Sequence, residues 1–423
     1  MRKKHFLFAS VLALLCGSST LHAQDFKLTS SGYFKNQGVD IMAFDDIYPE
    51  GHQGGVCIIM NGHRVATNGD IRLEATPGQW QPVPKQLDRK LGDNSITATL
   101  CYPDSSRHLT GFNPMIYPDL HLIYTVNVES KGKNIEVTVD LDRPIPQEFI
   151  GKVGFNLEFF PGSLFGKPWI MDGQSGIFPQ QPNSPLMTTQ PNYLHTGNYH
   201  DGKKSLADMD KLIGKGYSPI VADDIISEPY AKGTKFTSRP DDPYNKVTIE
   251  SLSGDLQLFD GRMNHNNGWF VLRSNIKPGV TKGAVKWIIT PNVVADWMYQ
   301  PVIQTSQIGY HPTQDKEAVI EMDIRDNRKE TAQIIRIDAD GEKVVKNVTP
   351  ANWGKFLRYN YLKVNFTDVK EPGLYKIKYN TSVSPIFRID NDVYARGVWQ
   401  PVLEYFLPVQ MCHMRVNEKY RVW

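Results

Sequence analysis

The stretch NIEVTVDLD (residues 134–142) decides the fold class, because its apolar and polar residues alternate strictly. Ile135, Val137 and Val139 lie on one face of an extended chain, and Glu136 and Thr138 lie on the other. A period of two over this length predicts a half-buried β-strand. Comparable stretches recur through residues 24–300 without a helical period of similar length. The sequence therefore predicts a mainly β protein.

The region of residues 24–300 carries enough strand signals for a large domain. In GGVCIIMNGHRVA (residues 54–66), Asn61-Gly62 separates two β-rich runs, which is a strong hairpin signal. Many strands in one region predict a large N-terminal antiparallel β-sandwich, with a supersandwich as one form of it. Residues 180–243 are rich in Pro, Asn, Asp, Gly and Ser, and we expect long loops or an excursion off the sheets there.

Residues 301–390 show short strands at regular spacing, separated by turn signals such as Asp340-Gly341. In EPGLYKIKY (residues 371–379), the residues Tyr375, Ile377 and Tyr379 form an apolar face that alternates with a polar one. This pattern predicts an immunoglobulin-like β-sandwich.

Residues 391–423 change to a helical period and predict a C-terminal helical fragment. Asn391 is a candidate N-cap. Pro401 and Pro408 predict a kinked helix or two pieces, because each removes a backbone donor. The residues that share one helical face are Trp399, Val402, Leu403, Phe406 and Gln410. An apolar helical face requires a partner surface.

The N-terminus has the pattern of a secretory signal peptide over residues 1–23. A basic start precedes an apolar run from Phe6 to Leu15, and small residues lead to a cleavage site between Ala23 and Gln24. The apolar run is too short to span a membrane, so we expect a secreted or periplasmic protein. Lipoprotein anchoring through Cys16 is disfavoured, because Leu15 rather than a small residue precedes it.

Charge and cysteine content limit the partners. The formal net charge of +2 becomes about −1 when Arg2, Lys3 and Lys4 leave with the signal peptide. No basic stripe with interleaved aromatics is present, so nucleic acid is not an expected partner. No second apolar stretch of about 18 residues follows, so no transmembrane segment is expected. Cys57 and Cys101 are expected to be core thiols, with a disulfide between them as the alternative.

The stretch SQIGYHPTQDKEAVI (residues 306–320) resembles the opening of the N-terminal immunoglobulin-like domain of glycoside hydrolase family 9, the cellulase-type endoglucanases. LKVNFTDVKEPGLYKIKY (residues 362–379) resembles later strands of that domain. DVYARGVWQPVLEYFLPVQMC (residues 392–412) resembles the first helix of the family's (α/α)6 catalytic barrel. The residues that match the opening motif are Ser306, Gln307, Ile308, Gly309, Tyr310 and Pro312.

The resemblance implies an inverting enzyme that acts on β-glucan of the cellulose type. Inversion requires one carboxylate that activates water and one carboxylic acid that protonates the leaving oxygen. In the family, the base lies in an Asp-Ala-Gly-Asp stretch of the barrel, and the acid is a late Glu. The chain contains no Asp-Ala-Gly-Asp. We therefore assign no catalytic residue, expect both carboxylates beyond residue 423, and expect the chain alone to be inactive without its missing catalytic barrel.

The resemblance, together with the changes in sequence pattern along the chain, predicts four segments. They are a signal peptide (1–23), a β-rich accessory domain (24–300), an immunoglobulin-like domain (301–390) and the truncated start of the catalytic domain (391–423). A chain that stops inside the first barrel helix is expected to be a fragment.

Four residues are candidates for carbohydrate binding. Trp169, Asp172 and Gln174 lie among glycines in LFGKPWIMDGQSGIFP (residues 164–179), and Trp269 lies in DGRMNHNNGWF (residues 260–270). An aromatic ring packs on the C–H face of a sugar, and acid or amide groups bind its hydroxyls. The alternative is that the tryptophans pack between modules while Asn and Gly residues set turns.

No cofactor or metal motif is present, although a calcium-binding loop is compatible with the paired aspartates. Neighbouring residues on a strand point to opposite faces, so these pairs are not catalytic pairs. Cys412 and His413 diverge on a helix and do not easily share one ion. The paired aspartates are Asp45-Asp46, Asp223-Asp224 and Asp241-Asp242.

Two other functions stay open. One is a stand-alone carbohydrate-binding or scaffold β-sandwich protein without catalysis. The other is an enzyme whose site lies within residues 24–300, which requires acid, His and Tyr groups clustered in a cleft.

Overall fold

The computed structural model describes residues 25–45, 54–74, 76–78, 84–102, 120–182, 186–188, 225–263, 268–395, 397–411, 415–416 and 420–421. The chain divides into two compact units, Met1–Trp297 and Met298–Trp423. This boundary lies close to the division predicted at residue 300. Strands dominate both units, so the prediction of a mainly β protein is confirmed.

The described part of the first unit consists of short and medium strands, which are numbered in chain order. They are β1 Lys27–Leu28, β2 Phe34–Asn36, β3 Val39–Ala43, β4 Val56–Met60, β5 His63–Leu73, β6 Lys85–Leu91, β7 Ser95–Tyr102, β8 Leu122–Lys131, β9 Asn134–Leu141, β10 Val153–Phe159, β11 Pro168–Met171, β12 Gln174–Ile177, β13 Leu186–Thr188, β14 Ile225–Ser227, β15 Ala231–Gly233, β16 Lys235–Ser238, β17 Val247–Ser251, β18 Leu256–Asp260, β19 Phe270–Asn275 and β20 Val285–Pro291. Single 3-10 turns occupy Gln147–Phe149, Pro161–Ser163 and Gly261–Met263.

Most of these strands form two antiparallel sheets of nine strands each in the described part of the unit. The first sheet has the order β1-β2-β3-β4-β5-β10-β19-β18-β15, and the second has the order β12-β11-β16-β17-β20-β9-β8-β7-β6. Strands β13 and β14 pair with each other. The predicted hairpin at Asn61-Gly62 is confirmed, since it joins β4 to β5. Both of these residues have positive φ, as such a turn requires.

The core of the first unit lies between its two sheets, as a sandwich requires. Ile135, Val137 and Val139 of β9 are buried there, while the polar residues between them are half-buried. The ring of Phe155 on β10 meets Trp287 on β20 edge to face, with centroids 5.0 Å apart. One continuous apolar layer therefore holds the large sandwich together.

The second unit is a smaller sandwich. Its strands are β21 Val302–Gln304, β22 Glu317–Asp323, β23 Ala332–Asp338, β24 Gly341–Val348, β25 Ala351–Phe356, β26 Tyr359–Asn365, β27 Gly373–Tyr379, β28 Ser382–Val383 and β29 Phe387–Ile389. One sheet has the order β21-β22-β26-β25. The other has the order β24-β23-β27-β28, and β29 also pairs with β27. Tyr375, Ile377 and Tyr379 are buried in its core as predicted.

The motif SQIGYHP closes this smaller sandwich. The Tyr310 hydroxyl accepts a hydrogen bond from the Ser306 N–H and donates one to the Glu317 carbonyl. Gly309 has a φ of +103°, and a Cβ added there would lie 2.3 Å from the Arg388 carbonyl oxygen. Glycine is needed at this position because two backbone segments approach closely.

The helix α1 spans Gln400–Met411. It runs through Pro408 as one element, so the alternative of two helical pieces is wrong. Pro401 lies in the first turn, where its missing N–H is tolerated. The helix begins well after Asn391, so Asn391 is not its N-cap. Strands β30 Arg415–Val416 and β31 Tyr420–Arg421 follow.

The described residues also bear on two further expectations. Cys57 is buried and Cys101 is half-buried, and the two are thiols rather than a disulfide. None of the helices that the described ranges contain is long and apolar enough to cross a membrane.

Candidate functional site

Three of the predicted carbohydrate-binding residues lie in the hairpin of β11 and β12. Trp169 is 6% exposed, and its indole covers Gly176, where an added Cβ would lie 2.4 Å from the Trp169 Cζ2. Asp172 and Gln174 are exposed on the same hairpin. The hairpin thus brings the three residues close in sequence and space, but it buries the ring and leaves only the polar groups accessible.

The two polar residues of this hairpin bond to the chain's own backbone. Asp172 has a φ of +49°, and its carboxylate accepts hydrogen bonds from the N–H groups of Thr234 and Lys235 at 2.8 and 3.0 Å. The Gln174 Nε2 donates to the Lys232 carbonyl at 2.6 Å. These contacts tie the hairpin to the β15–β16 segment and give both side chains a structural role.

Trp269 lies apart from that hairpin, directly before β19. Its half-buried ring meets Phe160 edge to face, with centroids 4.5 Å apart. Asn264, His265 and Asn267, the polar neighbours in its sequence stretch, lie outside the described residues. Carbohydrate binding by Trp169, Asp172, Gln174 and Trp269 stays a prediction.

A buried polar cluster on the first sheet was not predicted. It combines side chains of β5 and the residue after it with side chains of β10 and β19. Asn156 Nδ2 donates to Glu74 Oε1 at 2.6 Å, and Arg273 Nη1 approaches the same oxygen at 3.3 Å. Arg273 also donates to the Glu74 and Lys152 carbonyls at 3.0 and 2.9 Å. Every strong donor of this guanidinium thus meets an acceptor inside the protein.

A second part of the cluster surrounds Asp70. Its Oδ1 accepts hydrogen bonds from the Tyr124 hydroxyl and the Ile71 N–H at 2.8 and 2.7 Å. Its Oδ2 lies 3.7 Å from Arg72 Nη1. Nearby on β10, Glu158 accepts a short hydrogen bond from the Asn68 side chain at 2.5 Å. The cluster therefore contains three carboxyl groups against two guanidinium groups.

Burial controls the protonation of these carboxyl groups. It raises the pKa of Asp70 to about 6, although Arg72 and the Tyr124 hydroxyl act in the opposite direction. It also raises the pKa of Glu74 to about 7, against the lowering effect of Arg273. Carboxyl groups with such values can give or take a proton near neutral pH. Both carboxyl side chains are 2% exposed or less. A proton on either of them could therefore pass only to a group that is itself enclosed by the protein.

No local sequence pattern predicts this cluster. In DIRLE (residues 70–74), polar residues alternate with the core residues Ile71 and Leu73, a pattern that is typical of a solvated strand face. Asn156 and Arg273 join from strands that are distant in the chain. The cluster supplies acid and tyrosine groups that an enzyme site within residues 24–300 would need. The contacts that the described residues make in this cluster include no histidine.

The other acidic and metal candidates divide between described and undescribed residues. Asp242 accepts hydrogen bonds from Arg239 and Asn245 and so stabilises a turn. Asp46, Asp223, Asp224, Cys412 and His413 lie outside the described residues. In the described ranges, no group of three or more potential ligand side chains could hold a metal ion.

The helix α1 exposes large apolar side chains in the second unit. Val402, Leu403, Tyr405 and Phe406 are 54–71% exposed. Exposed apolar side chains in this number are typical of surfaces at which proteins contact a partner.

A known family matches part of the second unit. Residues 298–384 match the family model of the cellulase N-terminal ig-like domain. The resemblance of this segment to the cellulase-type family is thereby confirmed. No curated protein matches the chain.

Two solved structures are similar to parts of the chain. A metagenome-derived glycoside hydrolase family 9 endoglucanase is 28% identical, with a TM-score of 0.23, over 26% of this chain and 21% of its own. The chain therefore spans about a fifth of that endoglucanase. The Slr1438 protein from Synechocystis sp. PCC 6803 is 9% identical, with a TM-score of 0.28, over 63% of this chain and 96% of its own.

Proposed function

We propose that this chain is the non-catalytic N-terminal portion of a secreted glycoside hydrolase family 9 enzyme that hydrolyses β-glucan. The match of residues 298–384 to the cellulase N-terminal ig-like domain carries the proposal. The exposed apolar side chains of α1 support it, because a catalytic barrel would cover them. Secretion rests on the signal peptide pattern of residues 1–23, which lie outside the described residues.

In this proposal, hydrolysis of β-glucan takes place in the catalytic barrel. Hydrolysis with inversion needs a general base for water and a general acid for the leaving oxygen, on opposite sides of the scissile bond. We place both carboxylates beyond residue 423, because the chain lacks the Asp-Ala-Gly-Asp stretch in which the family carries its base. Residues 24–300 would be an accessory module, and the immunoglobulin-like unit would lie next to the barrel.

Activity of the purified chain tests this assignment. Residues 24–423 are incubated with mixed-linkage β-glucan and with carboxymethyl-cellulose, and released reducing ends are measured. We expect no hydrolysis above a heat-denatured control. Robust hydrolysis would contradict the proposal, because it would place an active site within residues 24–423. In that case, loss of activity in Asp70→Asn or Glu74→Gln would assign the site to the buried polar cluster.

The coding DNA beyond codon 423 gives an independent test. We expect an open frame that encodes an Asp-Ala-Gly-Asp stretch and a late Glu. A stop codon directly after Trp423 would contradict the enzyme assignment for the expressed protein. The rival function, a stand-alone carbohydrate-binding or scaffold protein, would then take its place.

A further inference from the structure

An aromatic row lies on the outer face of the sheet β21-β22-β26-β25 in the second unit. We define this row as Tyr299, Tyr359, Tyr361 and Trp353. Successive ring centroids are 5.1, 6.1 and 5.6 Å apart. The row therefore forms one continuous strip of rings across the strands β26 and β25.

The register of the sheet places the row away from the core. Ile320 faces Leu362 across β22 and β26, and both are buried. Glu321 faces Tyr361 one position further along, so these side chains point to the opposite face. Trp353 is 57% exposed. It lies at the bulge that the register shift between Asn352 and Gly354 creates. That bulge turns the indole outward beside Tyr361.

A carboxylate lies among these rings and is held in place by them. The Tyr299 hydroxyl donates to Glu321 Oε1 at 2.9 Å, and the Tyr361 hydroxyl donates to Glu321 Oε2 at 3.1 Å. The Tyr299 N–H is itself fixed by Asp323 at 3.0 Å. Two phenols and one carboxylate are thus oriented before any ligand arrives, which reduces the entropy cost of binding.

We propose that the aromatic row with Glu321 is a binding surface for a neutral polysaccharide chain, and that this chain is β-glucan. The exposed indole of Trp353 and the half-buried tyrosine rings offer apolar faces for the C–H groups of sugar rings. Glu321 and its two phenol oxygens offer acceptors for sugar hydroxyls. The choice of β-glucan among polysaccharides rests on the proposed function.

The carboxylate favours a saccharide over a protein partner. Charged residues are depleted at the centre of protein interfaces, because burying an unpaired charge there is costly. Sugar hydroxyls instead donate hydrogen bonds to a carboxylate that keeps part of its hydration. A protein partner that covers the row is therefore an outcome of the test rather than the proposal.

Affinity electrophoresis of the full chain in gels with soluble mixed-linkage β-glucan tests the surface. We expect the chain to be retarded by glucan. Trp353→Ala and Tyr361→Ala should each weaken the affinity at least fivefold. Tyr361→Phe, which keeps the ring and loses the bond to Glu321, should weaken it less. Thermal melts of each variant verify that the fold is intact.

A matched control is available in the same unit. Trp399 is 55% exposed, close to the value for Trp353, and lies outside the row. Trp399→Ala should leave glucan affinity unchanged. The proposal is overturned if the chain is not retarded, if Trp353→Ala is retarded like the unmodified chain, or if Trp399→Ala loses as much affinity. It is also overturned if Trp353→Ala changes only the self-association of the protein.

This outcome is separable from the outcome of the hydrolysis assay. A chain that neither binds nor hydrolyses glucan leaves the assignment to the front of an enzyme in place and removes only the binding surface. A chain that hydrolyses glucan contradicts that assignment, whatever the aromatic row binds.

Discussion

The guanidinium of Arg273 and the carboxylate of Glu74 lie 3.3 Å apart inside the first unit, with 1% and 2% of their side chains exposed. Removing two charges from water is costly, and the cost is offset only when the geometry and the remaining hydrogen bonds are complete. Asn156 and two backbone carbonyls complete them here. The pair therefore makes the first sheet sensitive to the loss of either partner.

Replacing Arg273 with Met should destabilise the first unit by about 3–5 kcal/mol, because Glu74 and two carbonyls would lose their charged donor inside the protein. The double variant Glu74→Gln with Arg273→Met should recover part of the loss, since neither member of this pair is then charged. Urea unfolding of residues 24–423 measures both free energies of unfolding.

An exposed ion pair in the same unit is the control for that experiment. Lys235 and Glu250 lie 3.7 Å apart, with 58% and 45% of their side chains exposed. Glu250→Gln should cost less than about 1 kcal/mol. If Arg273→Met costs no more than Glu250→Gln, the buried pair does not stabilise the sheet.

Asp70 should make the first unit less stable as the pH rises. Its pKa in the folded protein is about 6, above the usual value of 3.8. A raised carboxyl pKa favours folding below pH 4 and loses that contribution as the pH rises through about 6. Between pH 4.5 and 7.5 this group alone should lower the free energy of unfolding by roughly 2 kcal/mol. Urea unfolding at both pH values measures the change.

Asp70→Asn isolates this contribution, because Asn stays neutral and its oxygen can still accept from Tyr124. The difference in stability between the two pH values should be smaller in this variant by the same amount. Asp241→Asn, the same substitution at a carboxyl whose side chain is 47% exposed, is the control. An unchanged difference in Asp70→Asn would mean that Asp70 is ionised throughout this range.

Substitutions of Asp172 in the β11–β12 hairpin should mainly lower the stability of the first unit. Asp172→Ala loses acceptors for two N–H groups and places Ala at a φ of +49°, so we expect a cost of about 1–2 kcal/mol. Asp172→Asn should cost less, because Asn keeps an acceptor and tolerates this conformation. Thermal melts check the order of the variants.

Glucan affinity measured on the same samples tests the predicted carbohydrate site. Loss of affinity in Asp172→Ala, at a temperature where the variant is folded, would support binding by the hairpin residues Trp169, Asp172 and Gln174. No loss of stability in Asp172→Ala would contradict the structural role of the carboxylate.

Local periodicity predicted much of this fold. The alternation in residues 134–142 fixes which side chains of β9 are buried, and Asn61-Gly62 fixes a turn, because both signals act between near neighbours. The opening motif likewise identified the second sandwich. Residues 235–238 were expected in a loop region, yet they form the strand β16. Pairing with β17 and β11 stabilises these four residues as a strand, and no local signal reports it.

The polar features depend on register and on contacts between distant strands. Glu74, Asn156 and Arg273 meet because β5, β10 and β19 are neighbours in one sheet. Tyr361 joins Trp353 because a bulge shifts the register of β25. Neither the order of strands in a sheet nor the position of a bulge follows from alternation alone, so sequence patterns could not place these side chains together.

Gly309→Ala should strongly destabilise the second unit. Gly309 has a φ of +103°, and the added Cβ would meet the Arg388 carbonyl oxygen at 2.3 Å. That oxygen accepts the Tyr310 N–H, so relief of the clash would break the contact that closes the sandwich. Gly341, which has a φ of +130° and no atom within 4 Å of an added Cβ, is the control. Gly341→Ala should cost roughly 1–3 kcal/mol from backbone strain alone. Thermal unfolding should show a larger loss for Gly309→Ala, and equal losses would mean that the close approach at Arg388 does not constrain this position.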